Sequence, residues 1–199
     1  MNKENLNLTL LESIKSRAEK IHNDVNQMYD NLPYSFHITL VSDYMLSYVD
    51  YFNLSEDKIY VLYFAACFHD TIEDARLTYN DVKKIANEFF DDENSLLATE
   101  IVYALTNEKG RTRAERANDK YYEGIRNTPY APFIKACDRL ANISYSVRVC
   151  KDSRMSKVYK KELDHFMDSI TRGATSIEYT IPEDLKNYLT LTANLERYD

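Results

Sequence analysis

The sequence has no tryptophan and few of the residues that end regular structure: 3 glycines and 4 prolines among 199 residues. This scarcity leaves few obvious turns, which argues against a strand-rich fold and favours long helices. Cysteine is also rare, at three residues without CxxC spacing. Cys67 and Cys137 fall inside apolar runs, so we predict buried free thiols, and a reducing, cytoplasmic setting is the default expectation.

Basic residues and long apolar runs are in short supply as well. Lys and Arg number 25 against 32 Asp and Glu, a net charge of −7 that argues against broad binding to nucleic acid or anionic membranes. No apolar run is long enough to cross a bilayer, and the N-terminus lacks a signal-peptide core. We therefore expect no nucleic-acid or membrane partner, while the oligomeric state stays open.

Apolar residues recur at three-to-four spacing along most of the chain, and this pattern predicts amphipathic helices. The predicted helices cover about residues 6–28, 35–48, 56–74, 78–90, 93–106, 129–149, 153–170 and 182–195. Ser55 is a predicted N-cap, and Thr78 with Asp81 resembles a capping box. Residues 107–128 are rich in basic side chains and predict an exposed loop followed by a polar helix. The predicted fold class is all-α, a compact single-domain helical bundle.

The most informative stretch is Ala65–Asp74, in which an apolar run ends in His69 and Asp70, followed by Glu73 and Asp74. Residues three and four apart share one face of a helix. One imidazole and three carboxylates are costly to bury together unless they bind something positive, and a divalent metal ion is the natural candidate. The alternative is that the last two acids are solvated, although acids at a helix C-terminus oppose the helix dipole.

Further ligands for such an ion must come from elsewhere in the chain. His37 lies at the start of an apolar helix, and Asp138 interrupts an apolar run. The alternatives are a hydrogen-bonded core histidine for the first, and for the second an ion pair with Lys135 or Arg139 on the same helix. His22 lies in the first helix, where it serves either as a capping residue or as a group behind the ligands.

Three segments, in order, carry a resemblance to a known family. The pattern of His37, His69-Asp70 and Asp138 resembles the HD-domain metal-dependent phosphohydrolases. Residues 69–74 (HDTIED) are similar to the HD-x-x-ED signature of the guanosine tetraphosphate hydrolases, the RelA/SpoT type and their small single-domain relatives. Residues 33–37 (PYSFH) resemble their PY-x-x-H segment, and residues 135–142 (KACDRLAN) their K-x-x-D-[RK]-L-x-N segment.

The similarity runs from about residue 15 to 170 and implies an HD-type helical domain. We expect a single domain over residues 1–199, in which the helical extension from about residue 172 has no counterpart in the family. The similarity also implies a set of metal ligands: His37, His69, Asp70 and Asp138. The implied ion is Mn²⁺, although Zn²⁺, Fe²⁺, Co²⁺ and Mg²⁺ are also compatible with nitrogen and oxygen ligands. Glu73 and Asp74 correspond to the family's catalytic carboxylate pair.

The resemblance also implies a substrate, a small phosphorylated nucleotide whose contacts would be Asn142, Lys135, Arg139 and Lys109. The family usually has a basic cluster that packs on guanine just before PY-x-x-H, where this chain has Gln27–Asn31; stacking on Tyr29 is the alternative. The implied reaction is removal of the 3′-pyrophosphate of guanosine tetra- or pentaphosphate. Two alternatives are hydrolysis of another nucleotide or small phosphate ester, and a non-catalytic nucleotide-binding module.

Overall fold

Regular structure in this protein is almost entirely helical, as the sequence predicts. The computed structural model describes residues 6–107, 110–148 and 154–195. The α-helices are α1 (Leu8–Asp24), α2 (Ser35–Tyr48), α3 (Glu56–Phe68), α4 (Thr71–Asp74), α5 (Tyr79–Ala86), α6 (Asp92–Leu105), α7 (Arg113–Arg116), α8 (Asp119–Arg126), α9 (Ala131–Arg148), α10 (Arg154–Thr171) and α11 (Glu183–Ala193). Short 3₁₀ helices cover Val49–Phe52 and Ile177–Tyr179, and two short strands are β1 (Met28–Tyr29) and β2 (Leu32–Pro33).

Helix α3 is the centre of the bundle. Every residue from Ile59 to Phe68 is buried, and the helix contacts α1, α2, α6 and α9. A helix that is apolar on all sides is stable only when neighbouring helices surround it, which explains this central place. The Phe64 and Phe68 rings stack with centroids 4.0 Å apart, and Cys67 and Cys137 are buried free thiols as predicted.

Helix α9 is the second organising element. It packs against α2 on one side and α11 on another, and it also contacts α3, α6, α8 and α10. Buried apolar residues from all these helices belong to one core cluster. No helix among the described residues is long and apolar enough to span a membrane.

The first predicted helix ends earlier than its apolar pattern suggests. We predicted continuation to about residue 28, but α1 ends at Asp24 and Asn26 adopts a left-handed conformation with φ 53°. Asparagine tolerates this conformation better than most residues, so it is a common helix terminator. The chain then forms a hairpin in which Met28 pairs with Pro33 and Tyr29 with Leu32. The hairpin places the Tyr29 ring against the His37 ring.

The third predicted helix, expected to run from residue 56 to 74, is interrupted at its functional end. Helix α3 ends at Phe68, and α4 begins only at Thr71. Two side chains accompany the break, because His69 Nδ1 lies 2.9 Å from the Ala66 carbonyl and Thr71 Oγ1 donates to the Phe68 carbonyl. Side-chain hydrogen bonds to these carbonyls compete with continuation of the helix. His69 and Asp70 therefore lie between two helices and not inside one continuous helix.

Local capping follows the sequence closely. Ser55 accepts a hydrogen bond from the Lys58 amide, and Thr78 with Asp81 forms the reciprocal capping box. The stretch at 107–128 contains an exposed segment and then α8, as predicted. Helix α8 is nevertheless amphipathic rather than polar throughout, because Tyr121, Tyr122 and Ile125 are buried.

Candidate metal centre

Three separate helices bring the predicted ligands to one place. His37 lies in the first turn of α2, His69 and Asp70 follow the end of α3, and Asp138 is in the middle of α9. The imidazoles of His37 and His69 are almost completely buried, as is the Asp138 side chain. The contacts of α2, α3 and α9 therefore close a polar site inside an apolar core.

The distances between these groups fit a single bound ion. His37 Nε2 lies 3.2 Å from His69 Nε2 and 3.3 Å from Asp138 Oδ1, while His69 Nε2 lies 2.8 Å from Asp70 Oδ2. Atoms that bind one ion at about 2.1 Å lie about 3 Å apart when they occupy neighbouring positions. One atom from each of His37, His69 and Asp70 lies within 4.8 Å of the other two. Two imidazoles and two carboxylates suit a divalent transition metal.

Hydrogen bonds behind the ligands set their orientation. His69 Nδ1 faces the Ala66 carbonyl, so this nitrogen carries a hydrogen, and Nε2 is the nitrogen that can bind a metal once it has lost its own proton. The Tyr34 hydroxyl donates to Asp70 Oδ2, and the Asn142 side chain donates to Asp138 Oδ1 at 2.6 Å. Ligands of protein-bound metals are commonly held in this way.

Asp138 is placed both to bind a metal ion and to form an ion pair within its own helix, the two alternatives that the sequence left open. Its Oδ1 faces His37 and His69, whereas its Oδ2 accepts a hydrogen bond from Lys135 Nζ at 2.8 Å. Burial acts to raise the pKa of Asp138, but Lys135 and the two imidazoles together hold it well below its usual range. The ion pair with Lys135 thus keeps Asp138 ionised and leaves one oxygen for the metal.

The Glu73 and Asp74 side chains lie one short helix beyond the ligands and line the same cleft as Asp70 and Asp138. Asn107 Nδ2 lies 2.9 Å and 2.7 Å from the two carboxylate oxygens of Glu73. Gln27 Nε2 donates to Asp74 Oδ2 at 3.2 Å. Burial, with the negative charges of Asp70 and Glu73, raises the pKa of Asp74 to about 6.

The predicted substrate contacts divide into three groups. Lys135, Arg139 and Asn142 all line the cleft beside Glu73 and Asp74. Tyr29 is placed differently, because its ring stacks on His37 at 4.6 Å and its hydroxyl donates to Asn142 Oδ1. Lys109 lies outside the described residues.

The sequence-based prediction missed several residues that support the site. Tyr34 is part of the quoted PY-x-x-H segment, and its position three residues before His37 was the available signal. Asn107 and Gln27 had no such signal, because they contact the carboxylate pair only through the tertiary fold. His22 is buried behind the ligands, where its ring stacks on Tyr34 at 4.2 Å.

We predict that metal binding releases a proton and strengthens as pH rises. Burial acts to lower the pKa of His69, but Asp70 and Asp138 outweigh it and raise that pKa to about 9 in the metal-free protein. Below pH 9 the imidazole therefore holds a proton that a metal ligand must lose. Affinity for Mn²⁺ should rise by close to tenfold per pH unit between about pH 6 and 8. Calorimetry in buffers of different ionisation enthalpy measures the proton release. Equal affinity for Mn²⁺ at about pH 6 and about pH 8 would contradict the prediction.

Comparison with known proteins gives no family assignment: no protein-family model matches the chain, and no curated protein is significantly similar to it.

Proposed function

We propose that this protein is a metal-dependent phosphohydrolase of the HD type that removes the 3′-pyrophosphate of guanosine tetra- or pentaphosphate. The observation that carries the proposal is the convergence of His37, His69, Asp70 and Asp138 from three helices. The cleft that Asp70 and Asp138 line also contains a carboxylate pair and several basic side chains. Ligands, proton acceptors and phosphate-binding groups therefore lie within reach of one substrate.

The site's chemistry requires a bound ion and two kinds of protein group. When bound, a divalent ion polarises a phosphoryl oxygen and lowers the pKa of a nearby water. Glu73 and Asp74 line the cleft next to the ligands, where either carboxylate can accept the proton that the attacking water loses. Asp74, with a pKa of about 6, is mostly ionised at neutral pH and so able to take that proton.

The proposed reaction balances as a simple hydrolysis. The water oxygen forms a bond to the phosphorus attached to the ribose 3′-oxygen, and the bond between that phosphorus and the 3′-oxygen breaks. The 3′-oxygen leaves with a proton, which gives GDP or GTP and pyrophosphate. Arg139 on the cleft wall carries positive charge that can stabilise the phosphate groups.

One observation favours a second candidate, hydrolysis of another phosphorylated nucleotide at the same site. Tyr29 packs on His37 and Tyr145, which lie 4.6 Å and 4.7 Å away between ring centroids. Its ring is therefore packed against the candidate metal centre, and Tyr29 is not among the described residues that line the cleft. The phosphate chemistry of the site is the same for both candidates.

The non-catalytic module is the third possibility, and the carboxylate pair argues against it. Turnover of guanosine tetraphosphate by the Mn²⁺-loaded protein, measured beside a panel of other nucleotides and simple phosphate esters, separates the three. Release of pyrophosphate from guanosine tetraphosphate at the highest kcat/KM supports the leading proposal. Preference for another substrate favours the second, and no turnover of any phosphate would refute both hydrolase functions.

A further inference from the structure

Two arginines on the cleft wall share one carboxylate from a helix that carries none of the ligands. Arg113 Nε and Nη2 donate to the two oxygens of Glu162, both at 2.9 Å. Arg139 Nη1 donates to Glu162 Oε2 at 3.1 Å. Arg113 belongs to the exposed α7 and Arg139 to the buried face of α9, so Glu162 of α10 is the link between them.

Aromatic rings on α10 hold the same two guanidinium groups. The guanidinium carbon of Arg139 lies 5.0 Å from the centroid of the Tyr159 ring, and that of Arg113 lies 5.4 Å from the same centroid. Arg139 also packs over Phe166 at 4.3 Å. Guanidinium groups are attracted to the faces of aromatic rings, and this contact fixes their planes. Helix α10 therefore supplies a frame for both arginines.

The charges of this cluster leave it positive. Two guanidinium groups face one carboxylate, so one positive charge remains uncompensated within the cluster. Each guanidinium has five N–H donors, and the three bonds to Glu162 leave most of them for another acceptor. Arg113, Arg139 and Tyr159 all line the cleft that also contains Glu73 and Asp74. The cleft thus contains both the carboxylate pair and the two guanidinium groups.

We propose that Glu162 is a positioning residue that holds Arg113 and Arg139 as a paired anion site, which takes a phosphate group of the substrate other than the one hydrolysed. This inference rests on the proposed function and narrows it to nucleotides that carry two separate phosphate groups. Paired arginines match the geometry of phosphate oxygens, and prior ordering lowers the entropic cost of binding.

Removal of the Glu162 charge can lower or raise KM, and the direction of the change distinguishes two roles for Glu162. If Glu162 only competes with the substrate for the arginines, its neutralisation frees them and lowers KM. If it positions them, its neutralisation lets Arg113 move into solvent and raises KM. We expect the second result, because Arg113 is exposed and Glu162 supplies both of the hydrogen bonds that orient it.

The test compares Glu162→Gln with Asp164→Asn, an equal charge change at an exposed position of the same helix. For Glu162→Gln we expect KM for guanosine tetraphosphate to rise about tenfold, while kcat stays within about threefold of the wild-type value. The affinity for GDP should fall about tenfold, and the affinity for guanosine should not change. Asp164→Asn should match the wild type. An unchanged or lower KM with unchanged GDP affinity would overturn the proposal.

Arg113→Gln provides a second variant should Glu162→Gln fail to fold, because Arg113 is exposed and its loss leaves the core intact. It should weaken GDP binding to a similar extent. GDP binding also separates this inference from the proposed function. If GDP binding depends on Glu162 but no phosphate is turned over, the hydrolase function is refuted and the arginine site is supported. If the protein turns over phosphate and neither variant changes the turnover, the hydrolase function is supported and the arginine site is refuted.

Discussion

Asp138→Asn and His69→Gln should each leave a folded protein that no longer retains Mn²⁺, and kcat/KM for the proposed substrate should fall by about 10³-fold or more. Each change removes one of four converging candidate ligands, and the remaining three come from buried or partly buried, packed positions that leave little room to rearrange around the ion. Both residues also have a structural contact, since His69 Nδ1 faces the Ala66 carbonyl at the end of α3 and Asp138 pairs with Lys135.

Metal content after loading and dialysis, together with activity, measures this effect. Asp43→Asn, at an exposed position of α2, is the matched control for Asp138→Asn and should retain both metal and activity. Thermal unfolding in the presence of a chelator compares each variant with the metal-free wild type, so that loss of metal is not confused with loss of fold. A His69→Gln protein with one tightly held ion per chain would show that the ion binds elsewhere.

The helical fold and a set of candidate ligands could both be predicted from the sequence, the fold from local patterns and the candidate ligands from such patterns together with the family resemblance. Three-to-four apolar spacing predicted most of the helices, and Ser55 and Thr78 predicted two of their starting points. Candidate ligands were suggested by charged residues that interrupt apolar runs at His69–Asp70 and at Asp138, and the family resemblance implied the same positions together with His37. These interruptions are patterns within single segments, where neighbouring residues alone reveal the conflict between burial and charge.

The helix endings and the supporting residues were less accessible, since they depend on contacts between segments. The break after Phe68 arises from side chains that bond to the helix's own carbonyls, a local competition that apolar periodicity does not register. The bond between Asn107 and Glu73 joins residues 34 positions apart. Glu162 and Arg113 are 49 positions apart in the chain, and in the sequence alone Glu162 is one of several charged residues in a polar helix. Such pairs become visible only when the fold brings them together.

Glu73→Gln should lower kcat by about 10²- to 10⁴-fold while metal content stays at the wild-type level, because general-base catalysis contributes an effect of that size. Glu73 lines the cleft but lies outside the set of ligands, so its neutralisation removes a proton acceptor without disturbing the ion. Glu123→Gln, an exposed change on α8, is the matched control and should leave kcat unchanged. Full activity of Glu73→Gln would assign the base role to Asp74 or to no carboxylate of the pair.

Asn107→Ala separates the chemistry of Glu73 from its placement. The Asn107 side chain donates to both oxygens of Glu73. Its loss leaves the base with the longer, 3.4 Å bond from the backbone N–H of residue 107, and therefore with more rotamers open to it. We expect kcat to fall by roughly tenfold, less than for Glu73→Gln, because the base still visits the productive orientation. In the double variant Glu73→Gln/Asn107→Ala, loss of Asn107 should add almost nothing, since a side chain that acts through Glu73 has no effect once the carboxylate is gone. Additive losses would mean that Asn107 contacts the substrate itself, and the role of the α6 C-terminus would then move from support to recognition.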